Sequence, residues 1–209
     1  MTDPRAAQAP SHARVSARPA TGPLRDSAEF LRGFVRNPAQ VGSVVPSSRR
    51  LEQRLVARAD IANAQTVVEL GPGTGGTTAA LLRAMPHNAR LLAIELDERF
   101  HDRLCATMHD PRLSIEQDSA EHLIELLALR RLSPPDAIVS GIPFSTMPPE
   151  VSNRIAAAIA QALRPGGRFV AYQVRAHVSE FVTPYMGPPE MEWELVNVPP
   201  VRVFTWVKR

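Results

Sequence analysis

Two carboxylates and three glycines stand at a spacing that can hold a nucleotide-like ligand. Glu69 sits near the end of a β-branched apolar run, Thr66-Val67-Val68-Glu69-Leu70, and Gly71, Gly73 and Gly75 follow at every second position. Glycines let a backbone turn sharply and approach a ligand with no Cβ in the way. Thr77 to Leu82 then read as the start of an apolar helix, so the glycines join a strand to a helix. Glu95 ends a second apolar run roughly 20 residues farther on, where an α/β nucleotide fold places the carboxylate that accepts from ribose hydroxyls. Accepting from two hydroxyls at once is a bidentate task that suits a carboxylate.

A dinucleotide fingerprint would need its third glycine about three residues after the second, and it would give Glu69 no role. The pattern E-x-G-x-G-x-G instead resembles motif I of class I S-adenosylmethionine methyltransferases. That resemblance implies S-adenosylmethionine as cofactor and S-adenosylhomocysteine as product, with Glu69, Gly71, Gly73, Gly75, Glu95 and Leu96 holding it. It adds Asp118 and Ser119 at the end of a third strand, where Asp118 either contacts the adenine amino group or caps the next helix. No metal is expected.

The reacting edge is placed at Asp136 to Ser145, because ligands of open α/β sheets bind at the carboxyl ends of strands. Its candidate residues are Ser140, Gly141, Ile142 and Phe144. Ile142-Pro143-Phe144 is similar to the N-[IL]-P-[YF] motif of adenine-N6 and rRNA dimethyladenosine methyltransferases, in which an Asn side chain holds the exocyclic amine. Gly141 occupies that Asn position and supplies no such acceptor. The C-terminal helical RNA-binding domain of those enzymes has no counterpart in the sequence, and nucleic acid is not an expected partner.

Strands are predicted at 66–70, 90–95, 112–116, 136–140 and 167–174, and helices near 75–85, 97–109, 119–131 and 149–163. Such alternation gives a parallel sheet covered by helices on both faces. The β-rich runs Trp193–Val198 and Val201–Val207, split by Pro199-Pro200, read as a closing hairpin. Together they resemble the seven-stranded, mostly parallel Rossmann-like sheet of class I methyltransferases, with an antiparallel C-terminal hairpin. The chain of 209 residues, 44% hydrophobic and 22% charged, suits one domain with a full core. No apolar run approaches the roughly 20 residues that span a bilayer. The single cysteine, Cys105, forms no internal disulfide, suits a reducing compartment and reads as a buried, inert thiol.

The division expected is a disordered leader at 1–23, amphipathic and basic helices at 24–62, and the methyltransferase domain at 63–209. The leader is rich in Ala, Pro, Arg and Ser, and its acid-poor character also fits a targeting peptide. Net charge is only +3, but seven Arg stand in 24–58 against Asp26, Glu29 and Glu52. On a helical wheel Leu24, Ala28, Phe30, Leu31, Phe34 and Val35 share one face, opposite Arg25, Arg32 and Arg36. This fits two roles, an interfacial membrane helix and a lid over the cofactor. A second helix starts at Ser47 or Ser48 and runs to about Ala62, with Leu51, Leu55 and Ala59 inward. Its Arg49, Arg50, Arg54 and Arg58 read as a solvated face that can also meet lipid phosphates.

Residues 24–209 resemble the small bacterial phospholipid N-methyltransferases. The matching stretches are Phe-Leu-Arg-Gly-Phe-Val-Arg-Asn-Pro, Val-Gly-Ser-Val-Val-Pro-Ser-Ser, Val-Glu-Leu-Gly-Pro-Gly-Thr-Gly, Ser-Gly-Ile-Pro-Phe and Val-Pro-Pro-Val-Arg-Val-Phe. The resemblance implies stepwise methylation of phosphatidylethanolamine toward phosphatidylcholine, with ornithine lipid as the other headgroup. It also implies peripheral attachment to an anionic membrane surface, on the inner face of the cytoplasmic membrane. Methylated products approach a quaternary ammonium, which aromatic faces bind by cation–π contact; Phe34, Phe144, Tyr172 and Tyr185 are the candidates. Arg175 is placed to pair with the lipid phosphate.

Overall fold

The computed structural model describes residues 48–197 and 199–209. The readings of 1–23 as a leader and of 24–36 as an amphipathic helix, with Arg25, Phe30, Leu31, Arg32, Phe34 and Arg36, lie outside the described residues.

Among the described residues the chain forms seven strands: β1 (Thr66–Leu70), β2 (Arg90–Glu95), β3 (Leu113–Gln117), β4 (Ala137–Ser140), β5 (Arg168–Gln173), β6 (Glu190–Glu194) and β7 (Val201–Val207). They make one sheet in the order β3-β2-β1-β4-β5-β7-β6. Strands β1 to β5 run parallel, and β7 is antiparallel to both β5 and β6. Among the described residues, six helices cover it: α1 (Arg49–Arg58), α2 (Gly76–Ala84), α3 (Glu98–Thr107), α4 (Leu123–Leu129), α5 (Pro149–Ala162) and α6 (His177–Met186). This is the seven-stranded, mostly parallel sheet with an antiparallel C-terminal hairpin that the resemblance implies.

Strand periodicity sorts the core into two layers. Val68, Leu70, Leu92, Ile94, Ile138, Phe169 and Trp206 face α4, α5 and α6. Val67, Leu91, Val139, Val170 and Val203 face α1 and its neighbour α2. Because both faces are covered, the central strands are buried almost throughout rather than at alternate residues.

Helix α1 begins where the Ser48 hydroxyl accepts from the N–H of Leu51 at 3.1 Å, a cap whose loss typically costs about 1 kcal/mol. It ends sooner than expected. Asp60 takes a left-handed φ of 53° and is followed by a 3-10 turn, Ile61–Asn63. Leu51 and Leu55 are fully buried, each worth roughly 1.5–3 kcal/mol, so α1 belongs to the core of the sheet. Its arginines are not simply a solvated face. At helical spacing of four, Arg50, Arg54 and Arg58 meet Glu194, Glu192 and Glu190, which share one face of β6 at strand spacing of two. Arg54 Nε lies 3.0 Å from Glu194, and Arg58 Nη1 lies 3.1 Å from Glu190.

Three local expectations need correction. Helix α6 has no counterpart in the sequence reading, although Val178 and Val182 anchor it one turn apart. The sixth strand is Glu190–Glu194 rather than 193–198, and Leu195 and Val196 are exposed beyond it. Cys105 is exposed, not buried; Leu104 is the buried residue of α3, and one helical step turns its neighbour outward.

Candidate active site

The strand order reverses where β1 lies between β2 and β4, the switch point at which open α/β sheets bind ligands. Parallel pairing continues one residue past the strand ends. Gly71 N–H donates to Ile94 O at 2.9 Å, Gly141 N–H to Leu70 O at 2.9 Å, and Asp118 N–H to Glu95 O at 3.1 Å. The glycine turn and the ends of β2, β3 and β4 are thereby brought to one edge.

The three glycines of the turn all have positive φ, yet they serve different neighbours. A Cβ on Gly71 would come 3.2 Å from the Ile142 side chain, and one on Gly75 would strike Met108 and Leu104 at 2.5 and 2.7 Å. A Cβ on Gly73 would meet nothing within 4 Å. Gly71 and Gly75 therefore pack against the protein, whereas Gly73 presents bare backbone to an open space that a side chain would fill.

The Glu95 carboxylate ties this turn to the end of β2. Oε2 accepts from Gly73 N–H at 2.9 Å and Oε1 from Asp97 N–H at 3.0 Å. Burial raises its pKa, opposed by those backbone donors. The cap of α3 is Asp97, which accepts from Arg99 N–H, so Glu95 is not spent on capping. Glu69 is 1% exposed, and its Oε2 has no hydrogen-bond partner. Burial pushes this carboxyl up to about 8, the Thr78 hydroxyl opposes the shift, and the charge of Glu95 adds to it. Leu96 packs partly buried against the layer under α4 and α5. Asp118 accepts from Ser119 N–H at 2.7 Å and pairs with His122 Nδ1 at 2.7 Å, while the Ser119 hydroxyl caps the 3-10 turn Ala120–His122.

At the end of β4 the chain is braced by itself. Ser140 is fully buried and its Oγ accepts from Ile142 N–H at 3.3 Å; Ile142 O accepts from Gln173 Nε2 at 2.6 Å. Gln173 was not singled out from sequence; its place at the carboxyl end of β5, beside β4, is the signal that points to it. Phe144 is a correction. It is 1% exposed with its ring 6.2 Å from Phe181, so it is core and offers no face to an ammonium ion. Tyr172 does reach this edge: a Cβ on Gly141 would stand 2.6 Å from its hydroxyl. Arg175 and half-exposed Tyr185 lie outside this cluster, on the approach to α6 and in its last turn.

Residues 67–167 match the family described as a methyltransferase domain. The match covers just under half of the chain, and the sheet built around it has the fold of class I methyltransferases. Among solved structures, the 1,6-didemethyltoxoflavin-N1-methyltransferase of Burkholderia thailandensis superposes with a TM-score of 0.64, covering 92% of this chain and 93% of that one at 17% identity. That structure holds S-adenosylhomocysteine, and at this identity the likeness is one of fold. In sequence, the ornithine lipid N-methyltransferase of Singulisphaera acidiphila is 29% identical over 148 residues, 70% of this chain and 77% of that protein. The ribosomal RNA small subunit methyltransferase A of Nocardia farcinica is 28% identical over 165 residues, but the chain spans only 52% of its length. Among the described residues, no His, Cys, Asp and Glu cluster is fit to hold a metal ion.

Proposed function

We propose that the chain methylates an amine in a lipid headgroup. The observation that carries this reading is the crowding at Gly141. An Asn placed there to hold adenine would drive its Cβ to 2.6 Å from the Tyr172 hydroxyl and 3.0 Å from Gly71 O. The similarity to an ornithine lipid enzyme over 77% of its length supports the same conclusion. Two headgroups fit, those of phosphatidylethanolamine and ornithine lipid, each a primary amine beside an anionic group. Similarity to ribosomal RNA methyltransferases favours adenine as the second reading.

S-adenosylmethionine supplies an electrophilic methyl group on a sulfonium. The open backbone at Gly73, the buried unpartnered oxygen of Glu69 and the Glu95 carboxylate form a cradle of the right chemistry to hold it. The bonds from Gly73 and Asp97 to Glu95 keep that cradle fixed, so little ordering remains to be done when ligand enters. The acceptor amine must arrive unprotonated, although a free alkylamine has a pKa of about 10. Drawing it from water to the edge at the carboxyl end of β4 favours the neutral form by desolvation.

Attachment to an anionic membrane rests on the amphipathic sequence of 24–36 and its three arginines. Among the described residues, no helix is long and apolar enough to cross a membrane. Lipid extraction after expression in a bacterial host lacking phosphatidylcholine tests the reading. Mono-, di- or trimethylated phosphatidylethanolamine or ornithine lipid is expected. Unchanged lipids together with new dimethyladenosine in ribosomal RNA would contradict it.

A further inference from the structure

We propose that the Tyr172 hydroxyl is the hydrogen-bond acceptor that orients the reacting amine. The inference rests on the lipid-amine reading for the identity of that amine, while the role itself follows from geometry at the end of β4.

Ser140 pairs with Ala171 across β4 and β5, so the next residues, Gly141 and Tyr172, come side by side at the carboxyl edge. The Tyr172 ring packs partly buried against the layer beneath α1, which anchors it. Its tip reaches across the end of β4: a Cβ built on Gly141 would lie 2.6 Å from the hydroxyl and 3.1 Å from Cζ. Gly141 is absent from the glycines of positive φ among the described residues, so this position is glycine for space and not for backbone conformation. What it makes room for is the phenol. The same Cβ would stand 3.0 Å from Gly71 O, which puts the hydroxyl beside the first residue of the cofactor turn.

The neighbouring polar groups already have assignments. Ser140 Oγ accepts from Ile142 N–H, Ile142 O accepts from Gln173, and the two Glu95 oxygens accept from Gly73 and Asp97. A phenol hydroxyl carries one donor and two acceptor lone pairs, so it keeps acceptor capacity beyond any one bond it makes. That capacity matches the need. An attacking amine must keep its lone pair directed at the methyl group while its N–H bonds are held, and a neutral acceptor on a rigid ring does this without consuming the lone pair. With an ordinary pKa of about 10, a phenol keeps its own proton at neutral pH and stays a neutral acceptor.

The test uses the full chain and the variant Tyr172→Phe, which removes only the hydroxyl. Methyl transfer from labelled S-adenosylmethionine is measured on phosphatidylethanolamine vesicles, ornithine-lipid vesicles and under-methylated small-subunit ribosomal RNA. Wild-type label in either lipid upholds the lipid reading; label in RNA alone removes it, and the comparison of variant with wild type is then made on RNA. On the acceptor that takes label, kcat should fall on the order of 10- to 100-fold. Cofactor Kd by calorimetry, acceptor KM and thermal midpoint should stay near wild type. Unchanged kcat overturns the proposal. So does weakened cofactor binding or a lowered midpoint, either of which would make the hydroxyl a prop for the Gly71 turn.

Discussion

The backbone N–H of Gly73 donates to Glu95 Oε2 at 2.9 Å, fastening the middle of the glycine turn to the carboxyl end of β2, 22 residues away. One carboxylate thus sets the shape of the turn from the strand on which a ribose partner is expected. Sequence spacing between the glycines and Glu95 reflects this closure, beside the ligand contact proposed for them.

Gly73→Val should abolish cofactor binding with little loss of fold. No protein atom within 4 Å would meet the new Cβ, so the added side chain projects into the ligand's space. The φ of +54° adds roughly 1–2 kcal/mol of local strain. Calorimetry with S-adenosylhomocysteine should detect no binding, while the thermal midpoint drops by only a few degrees. Wild-type affinity would remove the turn from the cofactor site.

Glu69 gives the empty protein a pH-dependent stability. Burial raises its pKa from 4.5 to about 8, so the folded state holds the proton more tightly than the unfolded chain. The stabilisation is complete below about pH 4.5 and is lost as pH rises through 8. Glu69→Gln, which stays neutral, should match wild type near pH 5 and melt higher at pH 8–9. About 1 kcal/mol corresponds to roughly 2–4 °C in a chain of this size. A difference in melting that is constant from pH 5 to 9 would contradict the assignment.

Much of this was legible in the sequence, and the failures share a cause. Val67-Val68 and Leu91-Leu92 are buried on both sides of the sheet, so unbroken apolar runs ending in an acid announce central strands. Strand β6 lies at the edge of the sheet. Its inward face carries Glu192 and Glu194 for arginines of α1, and its outward Met191 and Trp193 are exposed, which reverses the usual signal. The apolar Leu195-Val196 nearby drew the strand too far along the chain. Helix α6 hides behind Pro184 in its last turn and the Gly187-Pro188-Pro189 that follows. Phe144 sits inside a motif that suggests chemistry, yet only its packing against Phe181 reveals a core residue. Spacing along the chain singled out Glu69, Glu95 and the glycines, and the fold joins Glu95 to the turn through Gly73. It could not reveal which side chain from β5 would fill the space left by Gly141.

Adsorption to membranes should depend on residues 24–36. Inserting Phe30, Leu31 and Phe34 contributes roughly 1.5–3 kcal/mol for each fully buried side chain. Arg25, Arg32 and Arg36 add about 1 kcal/mol each at an anionic surface. The double variant Phe30→Asp, Phe34→Asp should stay in the supernatant when anionic vesicles are sedimented. Unchanged sedimentation would leave the segment to a lid role.

The claim that the acceptor is a lipid amine is tested most directly by competition in one vessel. Purified full chain is given labelled S-adenosylmethionine, mixed vesicles of phosphatidylethanolamine and ornithine lipid, and under-methylated small-subunit ribosomal RNA; lipid and RNA are then separated and counted. Label in a lipid headgroup, with none above background in RNA, is the predicted result. Label in RNA with neither lipid modified would contradict the account.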